Sequence, residues 1–232
     1  MNIIEDAIKY VKNIFENDCS GHDFYHTLRV YRMATYLAEK ENADMEIVQL
    51  AALLHDVDDR KLSPETYHSK DRTIIFLKKH GVGLPVINRI CGILNEVSYA
   101  GKDSIVPTTI EGKCVQDADR LDALGAIGIA RTFAYGGTHN RKIYDPNIKP
   151  NEEMDCKEYY ANESTSLNHF YEKLFKLENL MNTDSAKIIA KKRNNIMQDY
   201  VNEFFREWDG TDYRTGDSII NDNDIVKIDL NP

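Results

Sequence analysis

Residues 50–59 read LAALLHDVDD, an apolar run that ends in one histidine and three aspartates. The density of apolar residues predicts a helix that is buried on most of its sides. Ionised groups at the end of such a helix are costly to bury unless a partner of opposite charge compensates them, and a bound cation is the simplest such partner. A His-Asp pair on its own is more often a core histidine followed by solvated carboxylates. The pair His55-Asp56 therefore needs support from other parts of the chain.

Two further stretches supply the same residue types. GHDFYHTLRV, at 21–30, places His26 in the first turn of a predicted helix. CVQDADRLDALGAIG, at 114–128, places three aspartates in the first turns of another helix: Asp117, Asp119 and Asp122. Neutral imidazoles and carboxylates are good ligands for a borderline or hard divalent ion, and two of each leave coordination positions open for water. The three stretches together indicate a metal site on a helical scaffold.

The rest of the chain also follows a helical period. Apolar residues recur at helical spacing almost everywhere, and Gly and Pro, at 12 and 6 of 232 residues, are too few for a turn-rich β-fold. We therefore expect an all-α fold with a single domain over 1–208. The domain has a ligand-bearing core at about 20–135, a long polar loop at about 135–162 and C-terminal helices at about 163–207, and a loosely attached tail follows at 209–232.

Capping residues predict where several helices begin. Asp23 and Asp44 are placed to cap the second and third helices, and Thr183 or Asp184 to cap the last one. Ser63-Pro64-Glu65 predicts the start of a helix that continues to His80-Gly81, because proline is favoured in a first helical turn. From 109 to 134 we expect one or two helices whose inward-facing residues include Val115, Leu121, Ala123, Leu124, Ile127 and Ile129.

Charge and composition exclude several classes of function. With 29 Lys and Arg against 38 Asp and Glu, the formal net charge is −9, which disfavours sequence-independent binding of duplex nucleic acid. No apolar run approaches the roughly 18 residues of a membrane span, and the charged N-terminal segment fits neither a signal peptide nor an anchor. The four cysteines form no CxxC pair, so we expect reduced thiols and a cytoplasmic protein.

The order of the histidines and aspartates resembles a known signature. His26, then His55-Asp56, then Asp119 within ADRL at 118–121, is similar to the pattern of the HD-domain superfamily of metal-dependent phosphohydrolases. GHDFYHTLRV, LLHDVDDRK and DADRLDALGAIGIAR together resemble bacterial HD hydrolases thought to act on nucleotides. The likeness covers about residues 20–135 and continues more weakly through ESTSLNHFYEKLFKL at 163–177. It implies an all-α HD-domain helical bundle with added C-terminal helices.

The resemblance also implies a set of metal ligands: His26, His55, Asp56 and Asp119. Asp119 is preferred over Asp122 because the family aspartate directly precedes Arg or Lys and Leu. Asp122, one helical turn further on, would support a ligand by a hydrogen bond. Asp117 is interpreted as a cap or a surface charge, and His22 as lying outside the site. The expected cofactor is one divalent ion, with manganese, magnesium, cobalt, nickel and iron all left open.

Catalytic and substrate-binding roles follow from the same resemblance. Asp59 matches the position where related enzymes keep an acid that exchanges protons with the water or the leaving group, with Asp58 as the fallback; a solvated charge is the alternative for Asp59. Expected phosphate contacts are Arg29, Arg60, Lys61 and Arg120, joined at greater distance by His169 and Lys173 or by Arg141 and Lys142. Tyr25 and Tyr99 are candidates for stacking on a base, although core packing is the commoner role of such aromatics.

The leading hypothesis is an enzyme that hydrolyses a phosphate ester or anhydride bond in a small nucleotide. A (deoxy)nucleoside triphosphate pyrophosphohydrolase or a nucleotide phosphatase fits best, as a monomer or homodimer without a membrane or duplex nucleic-acid partner. The alternative from another class is a non-catalytic module that senses metal or nucleotide. An alarmone hydrolase ranks lower, and so does a cyclic-nucleotide phosphodiesterase, which would need a second ion and use His68 and His80.

Overall fold

The third helix forms the centre of the fold. In the computed structural model α3 (Met45–Leu54) buries seven of its ten residues, as its apolar sequence predicts. It packs against α1 (Ile3–Phe15), α2 (Phe24–Glu41), α5 (Leu84–Glu96) and α6 (Ile110–Asp122). Because α2 also packs along α6, the three helices that carry the histidine and aspartate stretches lie side by side.

The structure describes residues 2–16, 23–59, 62–99, 104–154, 157–158 and 162–212, and the elements assigned there are helical, which confirms the all-α prediction. The remaining helices are α4 (Asp71–Lys79), α7 (Gly125–Thr138), a π-helical turn (Phe170–Leu174), α8 (Phe175–Leu177), a 3-10 turn (Glu178–Leu180) and α9 (Asp184–Trp208). None of the helices in the described part of the chain has both the length and the apolar character that a bilayer crossing requires.

By their internal contacts the residues form two units, Met1–Met197 and Gln198–Pro232. The first contains all the helices from α1 to α8 and the beginning of α9. The second is described only from 198 to 212, where α9 ends and Arg206 pairs with Glu203 at 2.7 Å. Most of the predicted tail at 209–232 lies outside the described residues.

The helix starts show which capping predictions hold. The side chain of Asp23 accepts a hydrogen bond from the backbone N–H of His26 at 2.7 Å, and that of Asp44 accepts one from Ile47 at 3.3 Å. Thr183 Oγ1 accepts one from the backbone N–H of Ala186. These contacts satisfy N–H groups that a helix leaves without an internal partner.

The predicted helix start at Ser63 is wrong. Residues 64–69 form turns, Lys70 has a left-handed backbone with φ of 56°, and α4 begins only at Asp71. The first turn of α4 is capped from a distance by Asp58, which accepts from the backbone N–H groups of Arg72 and Thr73 at 3.3 and 2.9 Å. Proline at 64 was therefore a turn signal and not a helix start.

The segment 109–134 contains two helices, α6 and α7. They meet at Gly125, whose φ of 72° is in the left-handed region that favours glycine. Gly128 allows close packing at the same junction, since a Cβ there would lie 2.1 Å from the carbonyl oxygen of Ala123. The prediction that Ile127 faces the core is wrong, because its side chain is 46% exposed.

Candidate metal centre and cleft

Three helices bring the predicted metal ligands together. His26 comes from the first turn of α2, His55 and Asp56 directly follow α3, and Asp119 lies on α6. The Nε2 atoms of His26 and His55 are 3.3 Å apart, and Asp56 Oδ2 lies 3.3 and 3.2 Å from them. Asp119 Oδ1 lies 3.6 Å from His26 Nε2 and 3.9 Å from His55 Nε2.

Hydrogen bonds on the far side of each ring fix the two imidazoles. His55 Nδ1 lies 2.9 Å from the carbonyl oxygen of Ala52, which can only accept, so Nδ1 carries the proton and Nε2 points into the site. His26 Nδ1 lies 2.7 Å from Asp122 Oδ2. A carboxylate behind a ligating histidine holds the ring in place and increases the basicity of the other nitrogen. Asp122 therefore contacts the His26 ring nitrogen opposite the one that lies near Asp56 and Asp119.

The ionisation of the cluster reflects its excess of negative charge. Burial lowers the pKa of His55, but the charge and hydrogen bond of Asp56, together with Asp119 and the Ala52 carbonyl, outweigh burial and raise it to about 10. Burial also opposes the charged form of His26, yet Asp122 and Asp56 raise its pKa above the ordinary value. A site that raises the pKa of both histidines favours positive charge between the carboxylates.

The residues present fit a divalent ion. His26, His55 and Asp56 each offer one ligand atom, and these atoms lie within 4.8 Å of one another. Ligands that bind one ion at about 2.1 Å and at right angles to each other are roughly 3.0 Å apart, close to the observed separations of 3.2 and 3.3 Å. Two imidazoles with one or two carboxylates suit zinc, manganese, iron, cobalt or nickel better than calcium.

Arg131, on α7, is a site residue that the sequence analysis missed. Its Nη1 donates to Asp122 Oδ2 at 2.8 Å, and Arg29 donates to the same carboxylate from Nε at 2.7 Å and from Nη2 at 3.0 Å. Although burial raises the pKa of Asp122, the hydrogen bonds from His26 and Arg29 and the charge of Arg131 hold it well below its usual range. Arg131 is the one charged residue in the apolar stretch 123–133, a signal that could have identified it.

A cavity of about 240 Å³ opens beside the metal cluster. His55, Asp56 and Asp119 line one end of it, together with Asp59. The other lining residues are polar, aromatic and apolar, with Glu172 among them, and they include five basic side chains: Arg120, Arg131, Arg141, His169 and Lys173. We call this cavity the cleft. Its lining combines a cation-binding end with a cationic wall, the arrangement expected for a metal site that receives a phosphorylated molecule.

Two cations of the cleft wall are held in poorly solvated positions. Arg120 is 5% exposed, its Nη1 donates to the carbonyl oxygen of Leu180, and its Nε has no hydrogen-bond partner among the described residues. Burial lowers the pKa of Arg120. Burial also lowers the pKa of Lys173, to about 8, and the positive charges of Arg131 and Arg120 add a smaller lowering. Lys173 Nζ also lies 4.9 Å from the centre of the Tyr99 ring. An anion in the cleft would compensate these groups.

Glu172 anchors the polar segment that forms part of the cleft wall. The buried carboxylate accepts hydrogen bonds from the backbone N–H of Asn151, from Asn162 Nδ2 and from the hydroxyl of Ser164. It lies in the π-helical turn Phe170–Leu174, a distortion that is frequent at functional sites. The sequence analysis did not identify Glu172, although an acidic residue among aromatic and apolar helix positions could have indicated it.

Several predicted site residues lie elsewhere. Asp58, the fallback acid, does not line the cleft, and both its oxygens accept from the first turn of α4. Arg29 contacts Asp122 and does not line the cleft, and Lys142 pairs with Asp145. Of the two candidate stacking residues, Tyr25 is exposed and Tyr99 lines the cleft. Asp117 is a buried cap of Asn182 and Thr183 rather than a surface charge. Arg60, Lys61 and His22 lie outside the described residues.

The two histidines of the two-ion alternative are distant from the cluster. His68 is exposed, and His80 lies 3.5 Å from Asp6 of α1 through Nε2 and contacts the Phe76 carbonyl oxygen through Nδ1. Because a carbonyl oxygen only accepts, His80 donates there. Neither side chain lines the cleft. The described residues therefore offer one metal centre and no second cluster of histidines beside it.

Comparisons with known proteins show which family and fold this chain resembles. The family model for the HD domain matches residues 23–124. The uncharacterized protein YpgQ of Bacillus subtilis is 38% identical over 213 residues, which are 91% of this chain and 96% of that protein. An HD-superfamily hydrolase from Bacillus thuringiensis superposes with a TM-score of 0.70 at 44% identity, covering 89% of this chain and 96% of its own. The structure of YpgQ in complex with ADP superposes with a TM-score of 0.68, at 32% identity in the structural alignment. The superposition covers 90% of this chain and 100% of the YpgQ chain.

Proposed function

The chain belongs to the HD-domain family, and from this premise we propose that it is a metal-dependent phosphohydrolase that acts on a small nucleotide. A (deoxy)nucleoside triphosphate cleaved at the α-phosphorus is the leading reaction, and removal of a terminal phosphate is the alternative. The observation that carries the proposal is the convergence of two imidazoles and two carboxylates at one end of a cleft whose other wall is cationic. The ADP bound by the relative YpgQ supports a nucleotide as ligand.

His26, His55, Asp56 and Asp119 would hold the ion. When bound, a divalent ion at such a site lowers the pKa of a water ligand toward neutrality and polarises a phosphoryl oxygen. Asp122 keeps the His26 ring in the orientation that presents Nε2, and the Ala52 carbonyl does the same for His55. These contacts act before substrate arrives, so the ligand set is preorganised.

The cleft wall would position the phosphate chain. Arg120 and Lys173 are held close to the ligands without full solvation, so they gain most when a phosphate oxygen reaches them. Phosphoryl transfer depends mainly on positioning and charge stabilisation, which these side chains provide. Asp59 would exchange a proton with water or the leaving group, and its position in the cleft lining together with Asp56 supports this role.

The test is hydrolysis of a panel of nucleoside and deoxynucleoside mono-, di- and triphosphates with manganese, magnesium or cobalt. Released pyrophosphate identifies cleavage at the α-phosphorus, and orthophosphate identifies a phosphatase. His55→Ala should lose at least about 100-fold in activity, since it removes a ligand. The matched control is His68→Ala, an exposed histidine outside the cleft, which should keep wild-type activity.

Activity that survives both chelation and His55→Ala would contradict the proposal. Tight, metal-dependent nucleotide binding without turnover under any of the three metals would instead favour the sensor module. Loss of activity in His68→Ala would support the two-ion alternative.

A further inference from the structure

A second cavity, also of about 240 Å³, lies on the other side of Asp122 from the metal cluster. Arg29, Arg32 and Arg193 line it, with Asp122 as the carboxylate of the lining. Its apolar surface comes from Met33, Tyr36, Ala118 and Ile127. We call it the back cavity. It is separate from the cleft, since Asp122 backs His26 and no residue that lines the cleft lines the back cavity.

The charge of the back cavity is opposite to that of the whole chain. Three arginines and one carboxylate are among its lining residues, and that carboxylate is already bonded to His26, Arg29 and Arg131. Arg29 and Arg32 are three residues apart on α2, so they share a helix face, and Arg193 reaches the cavity from α9. A surplus of arginine on a concave surface is suited to an anion, because guanidinium binds phosphate oxygens in a bidentate manner.

The arginines keep donors available for a ligand. Arg32 is exposed and has no carboxylate within ion-pair distance among the described residues. Arg193 uses Nη1 for the carbonyl oxygen of Leu121, and Arg29 uses Nε and Nη2 for Asp122. A guanidinium has five N–H donors, so both residues retain others.

The apolar part of the lining indicates that the ligand also carries a ring. Tyr36 is 44% and Ile127 46% exposed, although both are large apolar residues beside a concave surface. An aromatic side chain next to cations can stack on a planar ring while the cations bind its phosphate. The volume of about 240 Å³ is slightly below the roughly 300–1,000 Å³ of typical small-molecule pockets, which limits the ligand to about the size of a mononucleotide.

We propose that the back cavity is a second binding site, which takes a small phosphate-bearing anion with an attached ring, such as a nucleoside monophosphate. Such a ligand would compete with Asp122 for Arg29. The negative charge of Asp122 would then be less neutralised by Arg29 and would increase the basicity of His26 further. The metal centre would therefore bind its cation more tightly. By thermodynamic linkage the cation must increase the affinity of the back cavity by the same factor.

Met33 provides a local probe of occupancy. It lines the back cavity, and none of the residues that line the cleft is a methionine. In protein labelled with methyl-¹³C methionine and treated with chelator, AMP should shift the Met33 signal in a saturable manner; Met33→Leu assigns the signal. Adenosine, which lacks the phosphate, should leave it unchanged. Because the measurement uses metal-free protein and no turnover, its result is independent of the proposed hydrolase activity.

Arg32→Gln should weaken the AMP effect on Met33 about tenfold, the size expected for one charge-assisted contact. Its matched control is Arg89→Gln, another exposed arginine, which pairs with Asp44 far from this cavity and should change nothing. Arg32 is exposed, so its replacement is not expected to disturb folding. The second site would be overturned if AMP leaves the Met33 signal unchanged, or if the AMP concentration needed to shift it is the same in wild type and Arg32→Gln.

The linkage has its own measurement. At an AMP concentration equal to the wild-type dissociation constant of the back cavity, a coupling of about fivefold should tighten Mn²⁺ binding roughly threefold in wild type and only about 1.4-fold in Arg32→Gln, whose back cavity is then mostly empty. AMP bound in the cleft contributes equally to both proteins, so the difference belongs to the back cavity. Equal Mn²⁺ affinities in the two proteins at this AMP concentration would overturn the link through Arg29 and Asp122.

Discussion

Replacing Asp122 by asparagine should weaken metal binding about 10- to 100-fold, or roughly 1.4 to 2.8 kcal/mol, although the substitution leaves all four predicted metal ligands in the chain. The amide is nearly isosteric with the carboxylate but carries no negative charge for His26 Nδ1, 2.7 Å away. The variant also weakens the contacts with Arg29 and Arg131. A charge-assisted hydrogen bond contributes about 1.5–3 kcal/mol, and losing the equivalent of one or two should lower the free energy of unfolding by about 2–4 kcal/mol.

The assay is calorimetric titration with Mn²⁺, combined with guanidinium unfolding of the metal-free protein. Asp117→Asn is the matched control, because Asp117 is a buried carboxylate on the same helix that accepts several hydrogen bonds, from Asn182 and Thr183, but does not contact His26. Both variants should lose stability, and only Asp122→Asn should lose metal affinity. Wild-type Mn²⁺ affinity in Asp122→Asn, or an equal loss in both variants, would refute the reasoning.

The pH dependence of the stability difference has a definite sign. The pKa of Asp122 is held below its usual range, so its contribution is complete above the unfolded-state value of about 3.9 and is lost only as the pH falls through the lower native value. The gap in unfolding free energy between wild type and Asp122→Asn should therefore persist down to about pH 4 and narrow in stronger acid.

Three further changes test the cleft and its support. Lys173→Met should raise the free energy of unfolding of the metal-free protein at pH 7 by about 1–2 kcal/mol, because burial disfavours the charged lysine and lowers its pKa to about 8. Denaturation at higher pH should show this gain shrinking between the native pKa and the unfolded-state pKa of about 10.4. Glu172→Gln weakens the anchoring of the polar segment, so the KM for nucleotide should rise several-fold with a smaller change in kcat; an unchanged KM in steady-state assays would contradict this. Gly128→Ala should cost about 1–3 kcal/mol in thermal melts because its Cβ meets the Ala123 carbonyl, whereas Gly137→Ala, with open space around it in the same helix, should be neutral or stabilising by about 0.5–1 kcal/mol.

The local sequence was sufficient to predict a helix start wherever the capping side chain lies within one turn of that start. Asp23 and Asp44 cap the helices that begin beside them, as their position in the sequence predicts. Asp58 shows the limit of such reasoning, because its carboxylate caps a helix that starts thirteen residues later, at Asp71. That contact joins Asp58 to residues 72 and 73, and no residue pattern near Asp58 encodes it. The long-range cap at Asp58 and the misplaced helix start at Ser63 therefore have one cause.

The grouping of His26, His55 and Asp56 was inferable from their order along the chain, and Asp122 from its place one turn after Asp119, but Arg131 and Glu172 were not identified. His55 and Asp56 directly follow an almost wholly apolar helix, which makes them conspicuous in the sequence. Arg131 and Glu172 belong to other segments and acquire their roles only where α7 and the π-helical turn reach the site. Arg29 was assigned to phosphate because it follows His26 by one turn. The structure places it on Asp122, where it connects the metal centre to the back cavity.

The net charge of −9 and a cationic cleft are compatible because electrostatic effects are local. Exposed carboxylates more than about 8 Å from a bound phosphate are largely screened at physiological ionic strength. Arg120 lines the cleft with little solvent around it and Lys173 lines it half-buried, so their interaction with an anion is screened less. At the opposite end, Asp56 and Asp119 repel a bare phosphate unless a cation lies between. The proposed function therefore predicts that metal binds first and nucleotide second, and that a nucleotide offered to metal-free protein binds more weakly than the same nucleotide offered with Mn²⁺.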